Sequence, residues 1–154
     1  MILNRQRAVR VARRPLELFL ARVKQTLGLE KADVSICFVS DTEIARMNEA
    51  FRRKKGPTDV LSFPAVHRRS PVAVPQRRNS GRLRKAKNEV FLGDIAISPA
   101  TARRNAKELG RTAATELQIL ILHGVLHLLG YDHETDRGQM DRVETRLRRR
   151  LGLT

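Results

Sequence analysis

Residues 122–133 read LHGVLHLLGYDH and contain three of the four histidines of the chain. His123 and His127 are about one helical turn apart, so a helix would place both imidazoles on the same face. Gly130 follows at a position typical of a helix end, where glycine can adopt the left-handed conformation that turns the chain back. The stretch therefore predicts a helix and a sharp turn that bring His133 to the first two histidines.

Three converging neutral imidazoles are the ligand set of a catalytic zinc site, in which a fourth position stays open to water. We therefore expect about one Zn²⁺ per chain, bound by His123, His127 and His133. The alternative is that these residues are hydrogen-bonded core histidines. Three histidines at these offsets, with a glycine at the turn, favour the metal.

The histidine helix is predicted from about Ala113 to Leu129 and has almost no polar face, so it should be buried on nearly all sides. Other helices are expected near Pro15, after Ser40, from Pro99 to about Leu109 and after Asp136. Strands are expected at 34–38, 58–64 and 90–97, with a weaker alternation at 9–11. This order predicts an α+β fold: a small mixed β-sheet packed with about five helices around the central buried helix.

The helix after Ser40 should begin with a capping box formed by Ser40 and Glu43. Helical spacing then predicts that Ile44, Met47 and Phe51 face the core. The Gly-Pro pair at 56–57 should stop the chain from continuing this helix.

The chain has 154 residues, which predicts a single domain over 1–154. It has 31 basic and 16 acidic side chains, a formal net charge of +15, which favours a polyanion such as RNA or DNA as partner. Residues 65–88 contain no acidic residue and predict a flexible basic loop, either a solvated insertion or a loop that grips RNA. His67 lies in this segment, and we do not count it as a ligand.

Cys37 is the only cysteine, so no disulfide can form within the chain. This is consistent with a reducing compartment. The chain has no apolar run approaching the roughly 18 residues of a membrane span. We therefore expect a cytoplasmic location and no membrane partner.

The histidine offsets match the long zinc-protease motif HExxHxxGxxH, with one exception. Gly124 stands where those proteases have the glutamate that acts as general base, and glycine has no side chain to accept a proton. A metallopeptidase is therefore the least favoured of the functions considered.

The sequence resembles the YbeY family of rRNA-maturation endoribonucleases. The resemblance rests on the blocks PTDVLSFP at 57–64, LGDI at 92–95 and HGVLHLLGYDH at 123–133, together with Asn48 and the pair Phe51-Arg52. It implies zinc on His123, His127 and His133 and cleavage of single-stranded RNA. It also implies maturation of the 3′ end of small-subunit rRNA and a role in ribosome quality control.

The same resemblance assigns Arg52 the position of a functional arginine that contacts RNA, a role suited to a planar, always charged guanidinium. The implied partners are the rRNA precursor and the small ribosomal subunit, with ribosomal proteins or assembly GTPases as further candidates. Asp94 and Asp132 could orient a ligating imidazole, or they could cap a strand end and a turn. No residue stands out as general base, and a non-catalytic ribosome-assembly factor with a structural metal is the alternative function.

Overall fold

The computed structural model describes residues 1–65 and 90–153, which form four strands and five helices. The basic segment predicted at 65–88 lies, apart from Ala65, outside the described residues. The strands are β1 (Ile2–Asn4), β2 (Ala32–Phe38), β3 (Val60–Pro64) and β4 (Val90–Ile97). The helices are α1 (Arg13–Thr26), α2 (Asp41–Arg52), α3 (Pro99–Leu109), α4 (Ala113–Leu128) and α5 (Gln139–Leu151).

The strands form one mixed sheet in the order β1-β2-β4-β3. β1, β2 and β4 are parallel, and β3 pairs antiparallel with β4 at the edge. Alternate residues of the two central strands, including Ile36 and Ile95, are almost fully buried. The α+β fold with a small mixed sheet and five helices is as predicted.

The strand predicted at 9–11 is wrong, because the first strand is formed by Ile2–Asn4. The side chain of Gln6 holds the segment after it in a local loop. Its Nε2 donates to the Val9 carbonyl at 2.9 Å, and its Oε1 accepts from the Val9 N–H at 3.0 Å. The alternation of Val9 and Val11 therefore reflects a loop whose first valine is buried, not a strand.

Helix α4 is the central element of the core, as predicted. Ten of its residues are buried, and it packs against β3, β4, α1, α3 and α5. Gly124 lies where α4 crosses β4, and a Cβ atom there would be 2.9 Å from two side-chain carbons of Ile95. Packing thus requires a residue without a side chain at this position, because only then can the helix lie directly on the sheet.

The Ser40 half of the predicted capping box is formed, since the Ser40 Oγ accepts a hydrogen bond from the Glu43 N–H at 3.1 Å, while the Glu43 carboxylate pairs with Arg5 at 3.3 Å. Ile44 is fully buried and Met47 partly so. The prediction for Phe51 is wrong, because its side chain is 69% exposed. Helix α2 packs near the edge strand β3, and the core does not extend under its last turn.

Among the described residues, no helix combines the length and the apolar character needed to cross a membrane.

Candidate metal centre

The turn after α4 brings the three predicted histidines together. Gly130 has a φ of +98°, and the next residue, Tyr131, donates its N–H to the Leu126 carbonyl at 3.1 Å. This is the hydrogen bond of a helix end closed by a left-handed residue. The His133 ring lies 5.6 Å from the His123 ring and 5.5 Å from the His127 ring, measured between centroids.

The imidazole nitrogens are close enough to share one ion. One ligand atom from each of His123, His127 and His133 lies within 4.8 Å of the others, so this group could hold a metal. The Nε2 atoms of His123 and His127 are 3.1 Å apart. Two nitrogens at the usual zinc distance in a tetrahedral site are separated by about 3.3 Å. The inner pair therefore already has the spacing of two ligands of one small divalent ion.

The hydrogen bond of His123 leaves the correct nitrogen free for a metal. Its Nδ1 lies 3.0 Å from Oε1 of Glu144 on α5. Because an ionised carboxylate only accepts, Nδ1 donates this hydrogen bond, and in the neutral tautomer that fits it Nε2, which faces His127, carries the lone pair. A carboxylate behind a ligating histidine fixes the ring and raises its basicity, which is the usual second partner in histidine metal sites.

Electrostatics favour a neutral His127 and an ionised Glu144. Burial lowers the pKa of His127, and the charges that His123 and His133 would carry lower it further, so the neutral, metal-binding form is favoured. Burial tends to raise the pKa of Glu144, but the hydrogen bond and the charge of His123 outweigh it, and the net shift is downward. The site thus combines a His127 imidazole whose neutral form is favoured with an ionised carboxylate behind His123.

Glu144 is the functional residue that sequence reasoning missed. Asp132 was one of two candidates for its role, but its Oδ1 accepts the Glu134 N–H at 3.0 Å, which is the contact of a turn cap. The other candidate, Asp94, lies exposed in β4. A signal for Glu144 did exist: it lies four residues after Met140 and three before Leu147, on the buried face of α5. An acidic residue on an otherwise apolar stripe needs a partner.

The histidines open into a cleft of about 900 Å³. One side, which we call the inner wall, is formed by the three histidines and the turn at 130–134. A second set of lining residues, which we call the outer wall, consists of Phe51, Arg52 and Lys54 at the end of α2 and just after it, and residues of β3 also line the cleft. Arg52, which the sequence places in the same functional group, therefore does lie on the same cleft as the histidines.

One carboxylate links the two walls. The Oε1 atom of Glu134 lies 3.2 Å from Nη2 of Arg52 and 3.7 Å from Nζ of Lys54. All three side chains are about half exposed, so these contacts are weak and exchangeable. The two cations are available to a stronger anion that enters the cleft.

Fold and site together define the class of protein: an α+β protein with a candidate three-histidine metal centre in a cleft lined on one side by cations. The family model for Endoribonuclease YbeY matches residues 2–152. The chain belongs to the YbeY endoribonuclease family.

Curated relatives named Endoribonuclease YbeY are similar over most of their length. The relative from Koribacter versatilis is 40% identical over 153 residues, which covers 99% of this chain and 86% of the relative. Those from Solibacter usitatus and Aquifex aeolicus are 40% identical over 149 residues and 36% identical over 125 residues. The similarity covers 96% of this chain and 86% of the Solibacter relative, and 81% of this chain and 72% of the Aquifex relative.

A solved structure has the same fold. It is a solution structure of a protein from Thermotoga maritima, with a TM-score of 0.62 and 25% sequence identity. The similarity covers 98% of this chain and 89% of that protein.

Proposed function

We propose that this protein is a zinc-dependent endoribonuclease that cleaves single-stranded RNA. The observation that carries the proposal is the convergence of His123, His127 and His133 at a cleft that Arg52 also lines. The relatives are named endoribonucleases, and the net charge of +15 suits an RNA substrate.

The residues of the cleft have separate roles in the proposed reaction. The three histidines hold the ion, and Glu144 orients His123 through the 3.0 Å hydrogen bond. Bound zinc would supply a Lewis acid for a phosphoryl oxygen and would lower the pKa of a water molecule. Arg52 binds the phosphate within the same cleft, where its guanidinium stabilises the negative charge that develops during cleavage. Glu134 holds that guanidinium in place until the substrate replaces it.

The cellular role that we propose is rRNA processing, namely maturation of the 3′ end of small-subunit rRNA, together with ribosome quality control. The partners would be the rRNA precursor and the small ribosomal subunit, with ribosomal proteins or assembly GTPases, in the cytoplasm. We further propose that residues 1–154 act as a single domain, in which the basic segment 65–88 adds to the attraction for RNA.

The test is to compare wild type with His127→Ala. We expect about one zinc per wild-type chain, and a variant that loses both the metal and the cleavage of a defined rRNA precursor. His67→Ala is the matched control, because it removes a histidine that is not counted as a ligand and should keep both. Metal content is measured by atomic absorption and cleavage by gel.

Two outcomes would contradict the proposal. Undiminished cleavage by His127→Ala, with contaminating ribonucleases excluded, would rule out the metal mechanism. Salt-sensitive RNA binding by the wild type without any turnover would instead favour the non-catalytic assembly factor with a structural metal.

A further inference from the structure

The few aromatic side chains of this chain are concentrated at the cleft. The sequence has five phenylalanines, one tyrosine and no tryptophan. Three of these six, Phe51, Phe63 and Tyr131, line the cleft that contains the histidines. At 69%, Phe51 is the most exposed large hydrophobic side chain in the part of the chain that the structure describes. It lines the same cleft as the histidines, and burial in the core cannot explain its position.

The Phe51 ring is held in place by a second aromatic ring. It packs against the Phe63 ring of β3 in an edge-to-face arrangement, with centroids 5.1 Å apart and an interplanar angle of 72°. This contact restrains the ring but leaves most of it in solvent. The result is a positioned and accessible aromatic surface.

The neighbours of Phe51 are suited to a nucleotide. Arg52 and Lys54 follow it on the outer wall and can bind phosphate, while the aromatic ring can bind a base. Proteins that bind single-stranded RNA combine these two features: cations along the backbone and aromatic rings on which unpaired bases stack. A protein partner would also use an exposed aromatic residue, but the adjoining cations and histidines favour a nucleotide.

We propose that Phe51 stacks on an unpaired nucleobase next to the phosphate bound by Arg52 and Lys54. This inference rests on the proposed RNA cleavage and adds the basis of its strand selectivity. In a duplex each base is already stacked and paired, so only a single strand can place a base on the ring. Since every base has an aromatic face, this contact selects single strands without selecting a particular sequence.

Binding of a single-stranded 2′-O-methyl oligonucleotide to the zinc-loaded protein tests the proposal. A gel run after the titration checks that the oligonucleotide has not been cleaved. Phe51→Ala should weaken binding about tenfold to a hundredfold, the range expected for loss of one stacked base. Phe51→Tyr should bind like wild type, and Phe51→Leu, which is apolar but has no aromatic face, should be weakened like Phe51→Ala. Leu109→Ala is the control, because it removes another exposed apolar side chain, 60% exposed, at the end of α3.

A fluorescence experiment gives a second, independent measurement. Phe51→Trp introduces a single tryptophan into a chain that has none. Its emission should be quenched when the single-stranded oligonucleotide binds and should be unchanged when the matching duplex is added. Thermal unfolding of each variant checks that the fold is intact, as expected for a side chain outside the core.

The proposal is wrong if Phe51→Ala or Phe51→Leu binds within about twofold of wild type, or if the tryptophan signal does not respond to the single strand. That failure can be told apart from failure of the proposed function. Wild-type affinity of Phe51→Ala, with cleavage lost in His127→Ala, refutes only the stacking. Cleavage that persists in His127→Ala refutes the zinc mechanism, whatever Phe51 does.

Discussion

The two walls of the cleft differ in how firmly their side chains are held. On the inner wall, His123 is only partly accessible and is fixed from behind by the mostly buried Glu144. On the outer wall, Phe51, Arg52 and Lys54 are all exposed, and the two cations share one exposed carboxylate. Two histidines of the inner wall belong to the core helix α4 and the third to the turn after it, whereas the outer wall belongs to the last turn of α2 and the residues after it.

This difference matches two requirements of catalysis on a flexible polymer. Groups that stabilise charge at the reacting atoms act best when they are positioned before the substrate arrives. Groups that capture the polymer must exchange partners quickly, and exposed ion pairs of low net stability do so. We therefore expect substitutions in and around the histidine helix to affect folding and metal binding, and substitutions on the outer wall to affect RNA binding and cleavage without changing zinc content.

The largest effect should come from Gly124→Glu, which completes the protease motif in the helix that carries the first two histidines of the inner wall. The new Cβ would lie 2.9 Å from Ile95, and the carboxylate would enter the core. Overpacking alone costs about 1–3 kcal/mol, and an unpaired buried charge adds to this. We expect the melting temperature to fall by roughly 10 °C or more, without any gain of casein digestion.

Ala114→Glu is the matched control, because it adds the same side chain at an exposed position in the first turn of the same helix. A negative charge is favourable there, so stability should be kept. A Gly124→Glu variant with the wild-type melting temperature would contradict the packing role of the glycine.

An intermediate effect is expected from substitutions of Glu144. Glu144→Gln keeps a hydrogen-bond acceptor for His123 but removes the charge, and Glu144→Ala removes both. Zinc affinity, measured by competition with a chelating dye, should fall about tenfold in Glu144→Gln and up to about a hundredfold in Glu144→Ala. Asp141→Asn, an exposed change on the same helix, should leave the affinity unchanged. Equal zinc affinity in all of these variants would show that Glu144 does not orient the histidine.

The smallest effects should come from the ion pair between the walls. Arg52→Ala should weaken RNA binding about tenfold, because it removes a charge-assisted phosphate contact. Glu134→Gln should strengthen RNA binding a few-fold, because its carboxylate no longer competes with phosphate for Arg52 and Lys54. Zinc content should stay at the wild-type level in both variants.

Glu30→Gln makes the same change in net charge at another exposed position. If it strengthens RNA binding as much as Glu134→Gln does, the effect is one of overall charge and not of the cleft. Weaker RNA binding by Glu134→Gln would contradict the idea that the Glu134 carboxylate competes with phosphate for Arg52 and Lys54.

Local patterns predicted most of the elements. The capping box at Ser40, the proline after Ser98 and the apolar periodicity of α4 each depend on residues within a few positions of one another, so the sequence contains all that is needed. The errors arose where a specific side-chain contact or the packing of a whole helix decided the outcome. The alternation at 9–11 was overruled by the Gln6 side chain, and the spacing that placed Phe51 in the core could not reveal that α2 packs near the edge of the sheet.

What the sequence by itself determined is the histidine set and its geometry, because the helical repeat and the glycine turn are local properties of residues 123–133. It also determined the surplus of positive charge. Only the tertiary structure decided that Glu144 of α5 reaches His123, that Ile95 excludes a side chain at Gly124, and that Phe51 lies exposed on the cleft. Each of these depends on how elements far apart in the chain pack together, and no local pattern of residues encodes that packing.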